Sequence, residues 1–210
     1  QAYAVPIIHR RQNVLISSPT GSGKTLTAFL SIINELLDKQ ETGELEDKIY
    51  CVYVSPLKAL ANDINKNLKQ PLKELKALAG EKGMDAPKIR VAVRSGDTTQ
   101  YERQKMARKP PHILITTPES LAIILSTPKF SKALHTTEWL IMDEIHDICS
   151  SKRGVQLSVN FERLQSRLEY QATRIGLSAT QAPIEEIAKF LSGYDEEDLR
   201  PVRLVEVEGN

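Results

Sequence analysis

Apolar runs alternate with segments of helical periodicity along the chain. The apolar runs span residues 13–16, 49–54, 89–93, 112–116, 139–142, 173–177 and 202–205. Several of them are short, continuous and rich in valine or isoleucine, which is typical of strands buried on both faces of a parallel sheet. The pattern therefore predicts seven strands.

Helical patterns fill the intervals between these runs. They cover residues 25–39, 57–78, 99–108, 118–125, 155–168 and 184–191. We expect the second helix to break near Pro71, because proline lacks a backbone N–H. The apolar face of the first helix is predicted to comprise Leu26, Phe29, Leu30, Ile33 and Leu37. Alternating strands and helices predict an α/β fold with a doubly wound, mainly parallel sheet.

The composition is that of a soluble globular protein, and we expect one domain over residues 1–210. Hydrophobic residues make up 40% of the chain and charged residues 26%. No run of about 18 apolar residues is present, so we expect no membrane contact and a cytoplasmic or nucleoid-associated location. The chain begins with Gln1 rather than Met, which indicates a piece of a longer protein.

The cysteines and histidines give no sign of a metal centre. Cys51 and Cys149 lie in apolar surroundings without a CxxC partner, so we expect buried free thiols in a reducing compartment. The histidines are scattered along the chain, which gives little support to a metal cluster.

A phosphate-binding loop is predicted between the first strand and the first helix. The segment reads Pro19-Thr20-Gly21-Ser22-Gly23-Lys24-Thr25. Its glycines let backbone N–H groups point at phosphate oxygens, and the helix N-terminus adds positive dipole character. Lys24 is expected to reach the β- and γ-phosphates of ATP, and the Thr25 hydroxyl to bind Mg²⁺. Ser18 stands where the pattern has its first glycine, and the alternative is a Gly-Ser turn without a ligand.

A second apolar strand, residues 139–142, runs directly into two carboxylates. Asp143 is a candidate Mg²⁺ ligand, and Glu144 is a candidate general base for the water that attacks the γ-phosphate. Adjacent acidic residues are common on protein surfaces, which is the alternative reading. The phosphate-binding loop upstream favours the catalytic reading, with Lys24, Asp143 and Glu144 as the reacting set.

Together these motifs resemble those of the superfamily 2 DEAD/DEAH-type helicases, in the first of their two RecA-like domains. Asp143-Glu144-Ile145-His146 resembles the DExH box, and further segments follow in the family's order. These are Ser55-Pro56-Leu57-Lys58-Ala59-Leu60, Thr117-Pro118-Glu119-Ser120-Leu121 and Ser178-Ala179-Thr180. Residues 94–98 and 151–156 are most like the large-helicase-related (Lhr) group.

The resemblance implies roles for residues that carry no signal alone. Gln1 would read adenine, and His146, Ser178, Ala179 and Thr180 would couple the γ-phosphate state to domain closure. The nucleic-acid-binding residues would be Ser55, Pro56, Leu57, Lys58, Arg94, Gly96, Asp97, Thr117, Pro118 and Glu119. The alternative is simple helix capping by Ser55, Asp97 and Thr117. Arg153 and Gly154 could hold the following helix, which we favour, or touch nucleic acid.

Charge and aromatic content refine the expected partner. Residues 1–110 carry 18 Lys/Arg against 12 Asp/Glu, and residues 111–210 carry 10 against 15. The basic half fits a polyanion-binding face, although solvated helix surface explains most such excesses. Trp139 and most other aromatics fall in core patterns, so backbone-directed binding of a single strand is expected rather than sequence-specific recognition.

The expected function is the ATP-binding motor domain of a nucleic-acid helicase that uses ATP and Mg²⁺ and translocates on single-stranded DNA. An RNA helicase or an RNA:DNA hybrid unwindase is the nearest alternative. A small-molecule kinase and a non-catalytic nucleotide-binding module are more distant ones. No Gln-x-x-Gly-Arg-x-x-Arg segment is present, so the second RecA-like domain and its arginine fingers are expected outside these residues. We expect the isolated piece to be a monomer with little activity.

Overall fold

The computed structural model describes residues 3–19, 23–56, 64–179 and 183–207. Its centre is a seven-stranded sheet in which every pairing is parallel. The strands are β1 Val14–Ser17, β2 Cys51–Val54, β3 Val91–Arg94, β4 Ile113–Thr116, β5 Trp139–Met142, β6 Thr173–Ser178 and β9 Arg203–Glu206. Their order across the sheet is β3-β4-β2-β5-β6-β1-β9. A small antiparallel hairpin, β7 Tyr194–Asp195 with β8 Asp198–Leu199, precedes the last strand.

Helices connect the strands. They are α1 Ala4–His9, α2 Lys24–Glu41, α3 Gln70–Glu81, α4 Gln100–Arg108, α5 Pro118–Leu125, α6 Pro128–Ser131, α7 Ile145–Cys149, α8 Lys152–Gln165 and α9 Ile184–Ser192. A π-helical turn, Asn65–Lys69, leads into α3, and a 3₁₀ turn, Lys132–Leu134, follows α6. Within the described residues, no helix has the length and apolar character needed to cross a membrane.

Hydrophobic clusters cover both faces of the sheet, which confirms the doubly wound fold. Cys51 and Tyr53 of β2 point to the face covered by α1, α2 and α3, whereas Val52 and Val54 point to the face covered by α5, α7, α8 and α9. Both sets are almost fully buried. Because side chains alternate along a strand, a strand with two buried faces must be apolar at every position.

The seven predicted strands are all present, with ends displaced by no more than two residues. Three short helices, α1, α6 and α7, were not predicted, because four to six residues are too few for a 3.6-residue period to register. α8 begins before the predicted position 155, because the Ser151 hydroxyl caps its N-terminus by accepting from the Gly154 N–H.

The predicted buried face of α2 was partly wrong. Leu30 is 40% exposed, and Leu26 and Leu37 are only partly buried. The residues that pack on the sheet are Ala28, Phe29, Ile32, Ile33 and Leu36. α2 carries apolar residues over more than half its circumference, so periodicity alone did not fix which stripe faces the core.

The structure also tests the predictions made for Pro71 and for the two cysteines. The predicted 57–78 helix lies partly outside the described residues, and the break expected near Pro71 was wrong. The π-helical turn runs directly into α3 with Lys69 in the right-handed helical conformation, and Pro71 is tolerated because it lies in the first turn of α3. Cys51 is fully buried, and burial raises the pKa of its thiol. Cys149 is only partly buried, because it lies at the exposed end of a five-residue helix, so its predicted burial was wrong.

Candidate functional site

The predicted site residues gather along one edge of the sheet. Parallel strands place all their carboxyl ends at the same edge, and each predicted loop follows one of those ends. The backbone pairing continues just past the strands: Ser18 N–H donates to the Ser178 carbonyl at 3.2 Å, and Asp143 N–H donates to the Val54 carbonyl at 2.9 Å. These bonds hold the end of β1 to that of β6 and the end of β5 to that of β2, and the strand order β2-β5-β6-β1 places one strand, β6, between the phosphate-binding loop and the carboxylates.

The described part of the phosphate-binding loop ends in a left-handed turn. Gly23 has φ +83° and precedes the first residue of α2, a conformation that favours glycine. Lys24 Nζ donates to the carbonyls of Ser18, at 2.6 Å, and Pro19, at 3.0 Å. Lys24 thus reaches back over the loop, while Thr25 is largely buried behind it. Gln1, Thr20, Gly21 and Ser22 lie outside the described residues.

Asp143 is held by contacts to both carboxylate oxygens. The Tyr53 hydroxyl donates to Oδ2, and the Glu144 N–H donates to Oδ1 at 2.8 Å. The Tyr53 ring packs on Phe29 of α2, with ring centroids 5.2 Å apart. Tyr53 therefore links the helix of the phosphate-binding loop to the carboxylate predicted to bind Mg²⁺. Sequence reasoning missed this residue, because in an apolar strand it reads only as core.

Glu144 occupies an unusual backbone conformation. Its φ of +50° lies in the left-handed region, and it is one of three non-glycine residues of the described chain with positive φ. Such a conformation typically costs about 1–3 kcal/mol and occurs most often at functional sites. Glu144 immediately precedes α7, and its side chain remains 26% exposed. The turn therefore keeps a carboxylate accessible at the edge of the sheet.

His146 joins the carboxylates to the end of β6. Its Nδ1 accepts the Ala179 N–H at 3.2 Å and lies 3.2 Å from Ser178 Oγ. An imidazole that accepts at Nδ1 carries its proton on Nε2 when neutral, and Nε2 lies 3.3 Å from Glu144 Oε2. The structure thus brings together His146, Ser178, Ala179 and Glu144, whereas Thr180 lies outside the described residues.

Glu144, His146 and Asp147 also form a cluster whose potential ligand atoms lie within 4.8 Å of one another. The prediction considered only clusters of histidines and cysteines and therefore missed this grouping, in which one histidine meets the residue before α7 and a carboxylate of α7 itself. The His146 Nε2 atom lies 3.5 Å from Asp147 Oδ1. The hydrogen bonds of Nδ1 and the carboxylate contacts of Nε2 explain the grouping without a metal.

The predicted helix caps were right at one position and wrong at another. The Thr117 hydroxyl accepts the Ser120 N–H at the start of α5, with Pro118 in the first turn. Asp97 is not a cap: α4 is capped by Thr99, whose side chain and backbone exchange hydrogen bonds with Glu102. The spacing Thr-x-x-Glu is a capping box, and that signal was present in the sequence but overlooked.

The other candidate nucleic-acid residues occupy contrasting positions. Ser55 is fully buried and Pro56 is partly exposed, while Leu57 and Lys58 lie outside the described residues. Gly96 and Asp97 are exposed in the turn after β3. That turn is closed by the Ser95 N–H, which donates to Thr98 Oγ1 at 2.8 Å. The position of Arg94 is described below.

The first turn of α8 contacts both α5 and α7, through Arg153 and Gly154 respectively. Arg153 Nε donates to Glu119 Oε1 at 2.5 Å, in an exposed ion pair. A Cβ atom on Gly154 would lie 2.2 Å from the Ile148 carbonyl oxygen, so only glycine fits there. Gly154 thus has a packing reason of its own, in the close approach of α8 to α7.

Comparisons with known proteins show the family of the chain. A model of the DEAD/DEAH box helicase family matches residues 1–189. The chain is 57% identical over 207 residues to the ATP-dependent helicase Lhr-Core of Methanothermobacter thermautotrophicus, covering 99% of this chain and 24% of that protein. It is 59% identical over 197 residues to ATP-dependent helicase Lhr-Core protein 2 of Thermococcus barophilus, covering 94% of this chain and 23% of that protein.

A comparison with a solved structure supports the fold implied by the sequence motifs. The chain superposes on the Mycobacterium smegmatis helicase Lhr bound to ssDNA and AMP-PNP with a TM-score of 0.86 and 43% identity, covering 97% of this chain and 25% of that one. The RecA-like fold implied by the motifs is therefore confirmed. The chain belongs to the DEAD/DEAH box helicase family, and it spans about a quarter of the length of these relatives.

Proposed function

We propose that residues 1–210 form a single domain, the first RecA-like motor domain of a longer ATP-dependent helicase that translocates on single-stranded DNA. The observation that carries this proposal is the chain of contacts from Glu144 through His146 to Ser178 and Ala179. These contacts connect the candidate hydrolytic base to the neighbouring strand end. A kinase or a passive nucleotide-binding module has no need of such a connection.

ATP and Mg²⁺ fit the residues at this edge. A buried carboxylate, Asp143, and a hydroxyl, Thr25, supply the oxygen ligands that Mg²⁺ prefers, and Lys24 supplies a cation for the phosphates. When bound, Mg²⁺ neutralises charge that develops on the phosphates. Tyr53 holds Asp143 in one orientation before the nucleotide arrives. Pro19, Gly23 and the loop between them would contact the phosphates, and Gln1 the adenine.

Glu144 is proposed to orient the attacking water and accept its proton. Its carboxylate is accessible, and the left-handed turn places it directly after Asp143 at the end of β5. His146 positions Glu144 and at the same time holds the backbone of Ala179. A change in the water or phosphate contacts of Glu144 would thus be felt at Ser178 and Ala179, which is the proposed coupling route, with Thr180 next in the chain.

The nucleic-acid track is proposed to cross the ends of β2, β4 and β3. The exposed backbone at Gly96 and the partly exposed Pro56 suit contacts to phosphates and sugars, which position a strand without reading its sequence. Thr117 lies at the same edge but is buried, and its hydroxyl caps α5. DNA is favoured over RNA by the similarity to the mycobacterial helicase bound to ssDNA. RNA remains the second candidate, because these contacts do not distinguish the two sugars.

A second RecA-like domain in the full-length protein is proposed to complete the ATP site. Phosphoryl transfer in P-loop enzymes uses an arginine to stabilise the charge of the transition state, and such a finger typically contributes about 10³–10⁵ in rate. The relatives are about four times longer than this chain and leave room for that domain. The isolated chain is therefore expected to bind nucleotide and to turn it over slowly.

ATPase assays of the full-length protein test the proposal. Lys24→Ala should abolish turnover, and Glu144→Gln should keep ATP binding while kcat falls by about 10²–10⁴, the usual contribution of a general base. Lys39→Ala, at the far end of α2, and Glu185→Gln, an exposed carboxylate of α9, are the matched controls and should keep normal turnover. Near-normal kcat for Lys24→Ala, or equal loss of ATP binding in Glu144→Gln, would contradict the assigned roles.

A further inference from the structure

Tyr53 is a buried residue of β2 that reaches the candidate metal site. It is 1% exposed and lies on the face of the sheet that α2 covers. The register of the sheet places Tyr53 opposite Ile141 of β5, so a residue two positions further along, Asp143, is within diagonal reach of its side chain. The phenol spans this distance, and its hydroxyl donates to Asp143 Oδ2.

This hydroxyl stabilises a carboxylate that has left water. Asp143 is only 3% exposed, and burying a carboxylate is costly unless hydrogen bonds compensate for its lost hydration. A hydrogen bond to an ionised group is among the stronger ones and favours one direction of the oxygen that accepts it. Because the Glu144 N–H donates to Oδ1, both oxygens of Asp143 accept a hydrogen bond, and rotation of the carboxylate is restricted.

The ring of Tyr53 is fixed in turn by the helix that follows the phosphate-binding loop. It packs on Phe29 of α2 with an interplanar angle of 33°, and Phe29 is fully buried. Phe29 lies four residues after Thr25 and five after Lys24 on the same helix. Because close-packed interiors transmit displacements, a shift of α2 reaches Tyr53 and, through its hydroxyl, Asp143.

We propose that Tyr53 is a positioning residue for the Mg²⁺ that binds with ATP, and that it links metal binding at Asp143 to nucleotide binding at α2. The inference rests on the proposed function, in which Asp143 and Thr25 hold the metal. Groups that hydrogen-bond to metal-binding carboxylates orient them, and removing such a group typically weakens metal binding about 10–100-fold. Because coupling between two ligands is reciprocal, Tyr53 also strengthens ATP binding when Mg²⁺ is present. Tyr53 acts through Asp143 and does not contact the reacting atoms.

Nucleotide affinity measured in Mg²⁺ and in EDTA tests this inference on the full-length protein. The probe is a fluorescent, non-hydrolysable ATP analogue, and the measured quantity is the ratio of its dissociation constant in EDTA to that in excess Mg²⁺. Tyr53→Phe keeps the ring and removes the hydroxyl, so this ratio should fall about tenfold while the affinity in EDTA stays that of the wild type. The readout does not depend on hydrolysis.

Tyr50→Phe is the matched control. Tyr50 is also buried in the core on the α2 side of the sheet, and its hydroxyl accepts the Glu46 N–H at 3.1 Å and donates to the Glu44 carbonyl at 3.4 Å. Tyr50 precedes β2, at the opposite end of the strand from Asp143. Its substitution therefore removes buried hydrogen bonds away from the metal site, and the Mg²⁺ ratio should match that of the wild type.

The possible results separate this inference from the proposed function. If the wild type binds the analogue more tightly in Mg²⁺ and Tyr53→Phe matches Tyr50→Phe, Tyr53 serves only the core and the inference fails, while the proposed ATP site stands. If the wild type binds equally well in Mg²⁺ and in EDTA, the proposed metal site fails as well. An equal loss of affinity by Tyr53→Phe in both conditions would place the damage in the nucleotide pocket and overturn the inference.

Phe29→Leu tests the link to α2 separately. It keeps the Tyr53 hydroxyl but removes the ring on which Tyr53 packs. The Mg²⁺ ratio should fall, although by less than in Tyr53→Phe, because the hydrogen bond to Asp143 can still form. Thermal melting confirms that each variant is folded. An unchanged ratio in folded Phe29→Leu would overturn the proposed link between the metal and α2.

Discussion

Three buried arginines in the described part of the chain occupy two contrasting environments. Arg174 and Arg200 both contact Glu162, with Nη1 to Oε1 distances of 2.9 Å and 2.7 Å. Arg94 has no such carboxylate among the described residues. A cation that leaves water needs a counter-ion or hydrogen-bond acceptors. The first region supplies its own counter-ion, whereas the guanidinium of Arg94 has only the Ser95 carbonyl as a hydrogen-bond acceptor among the described residues.

The difference follows from where the two regions lie. The Glu162 cluster joins α8, β6 and the segment after β8, away from the carboxyl edge of the sheet. It locks three elements that are distant in sequence, so it serves the fold. Arg94 lies at the carboxyl end of β3 in a groove between α4, α5 and α6, here called the Arg94 groove, on the same edge of the sheet as the other candidate site residues. Removing charge should therefore have opposite consequences for stability in the two regions.

Glu162→Gln should produce the largest loss of stability. It leaves two buried guanidinium groups without their shared carboxylate. Because Glu162 itself is 40% exposed, solvent screens part of the loss, and we expect destabilisation by about 1–3 kcal/mol rather than the full cost of breaking a buried pair. Urea unfolding of the 210-residue chain measures the change as a shift in midpoint. The control is Glu186→Gln, which breaks an exposed pair with Lys189 and should change stability by less than about 1 kcal/mol. Equal effects of the two substitutions would remove the distinction between the regions.

Lowering the pH should reduce the free energy of unfolding in two stages. Burial and the charge of Arg90 lower the pKa of His112 to about 4. The unfolded chain therefore takes up this proton first, so stability is complete above about pH 6.5 and falls by about 3 kcal/mol as the pH drops to 4. Unfolding midpoints measured from pH 7 to pH 3 should show this loss, and His112→Asn should remove it.

Below that pH range the Glu162 cluster should lose its contribution to stability, whereas the Arg94 groove should not. Burial opposes ionisation of Glu162, but hydrogen bonds from Arg200 and Arg174 outweigh it, and the pKa of Glu162 is lowered. Its contribution is thus present above the unfolded pKa of a glutamate, about 4.3, and is lost as the pH falls through the folded value. Glu162→Gln should lack this acid limb, whereas groove variants should keep it.

Arg94→Met should have the smallest effect on stability and the opposite sign. The substitution removes a buried charge that has no counter-ion among the described residues and keeps most of the side-chain volume, so stability should stay equal or rise by about 1 kcal/mol. Oligonucleotide binding should weaken at the same time. Arg174→Met is the matched comparison and should destabilise, because Glu162 loses a partner. A marked loss of stability in Arg94→Met would assign Arg94 to the fold.

Much of the fold could be predicted from local pattern. The sheet strands are apolar at successive positions because both faces are covered, and that signal survives without tertiary knowledge. The face of α2 could not be predicted in the same way, because Leu30 and Ile33 are equally apolar and only the position of the sheet separates them. The short helices α1, α6 and α7 depend on capping and packing rather than on periodicity.

The candidate site residues also divide into those that could be selected from the sequence and those that only the structure reveals. Lys24, Asp143, Glu144 and His146 could be selected from the sequence, because phosphate and metal chemistry requires particular residue types next to strand ends. Their roles in hydrolysis and coupling remain predictions. Tyr53 could not be selected, because its significance comes from a contact with Asp143, which is 90 positions away in the chain. Arg103 could not be selected either, because its significance comes from a contact with Thr98, 5 positions away.

The sequence alone determined the strand–helix alternation, the phosphate-binding loop and the family to which the chain belongs. Each of these is written in residues that are close together in the chain, where sterics, capping and ligand chemistry act locally. The tertiary structure decided which strand ends meet, which of the buried arginines share Glu162, and which of them opens into a groove. Those outcomes depend on strand order and on burial. In a low-dielectric interior, the partners of a charged group are set by distance in space rather than by distance along the chain.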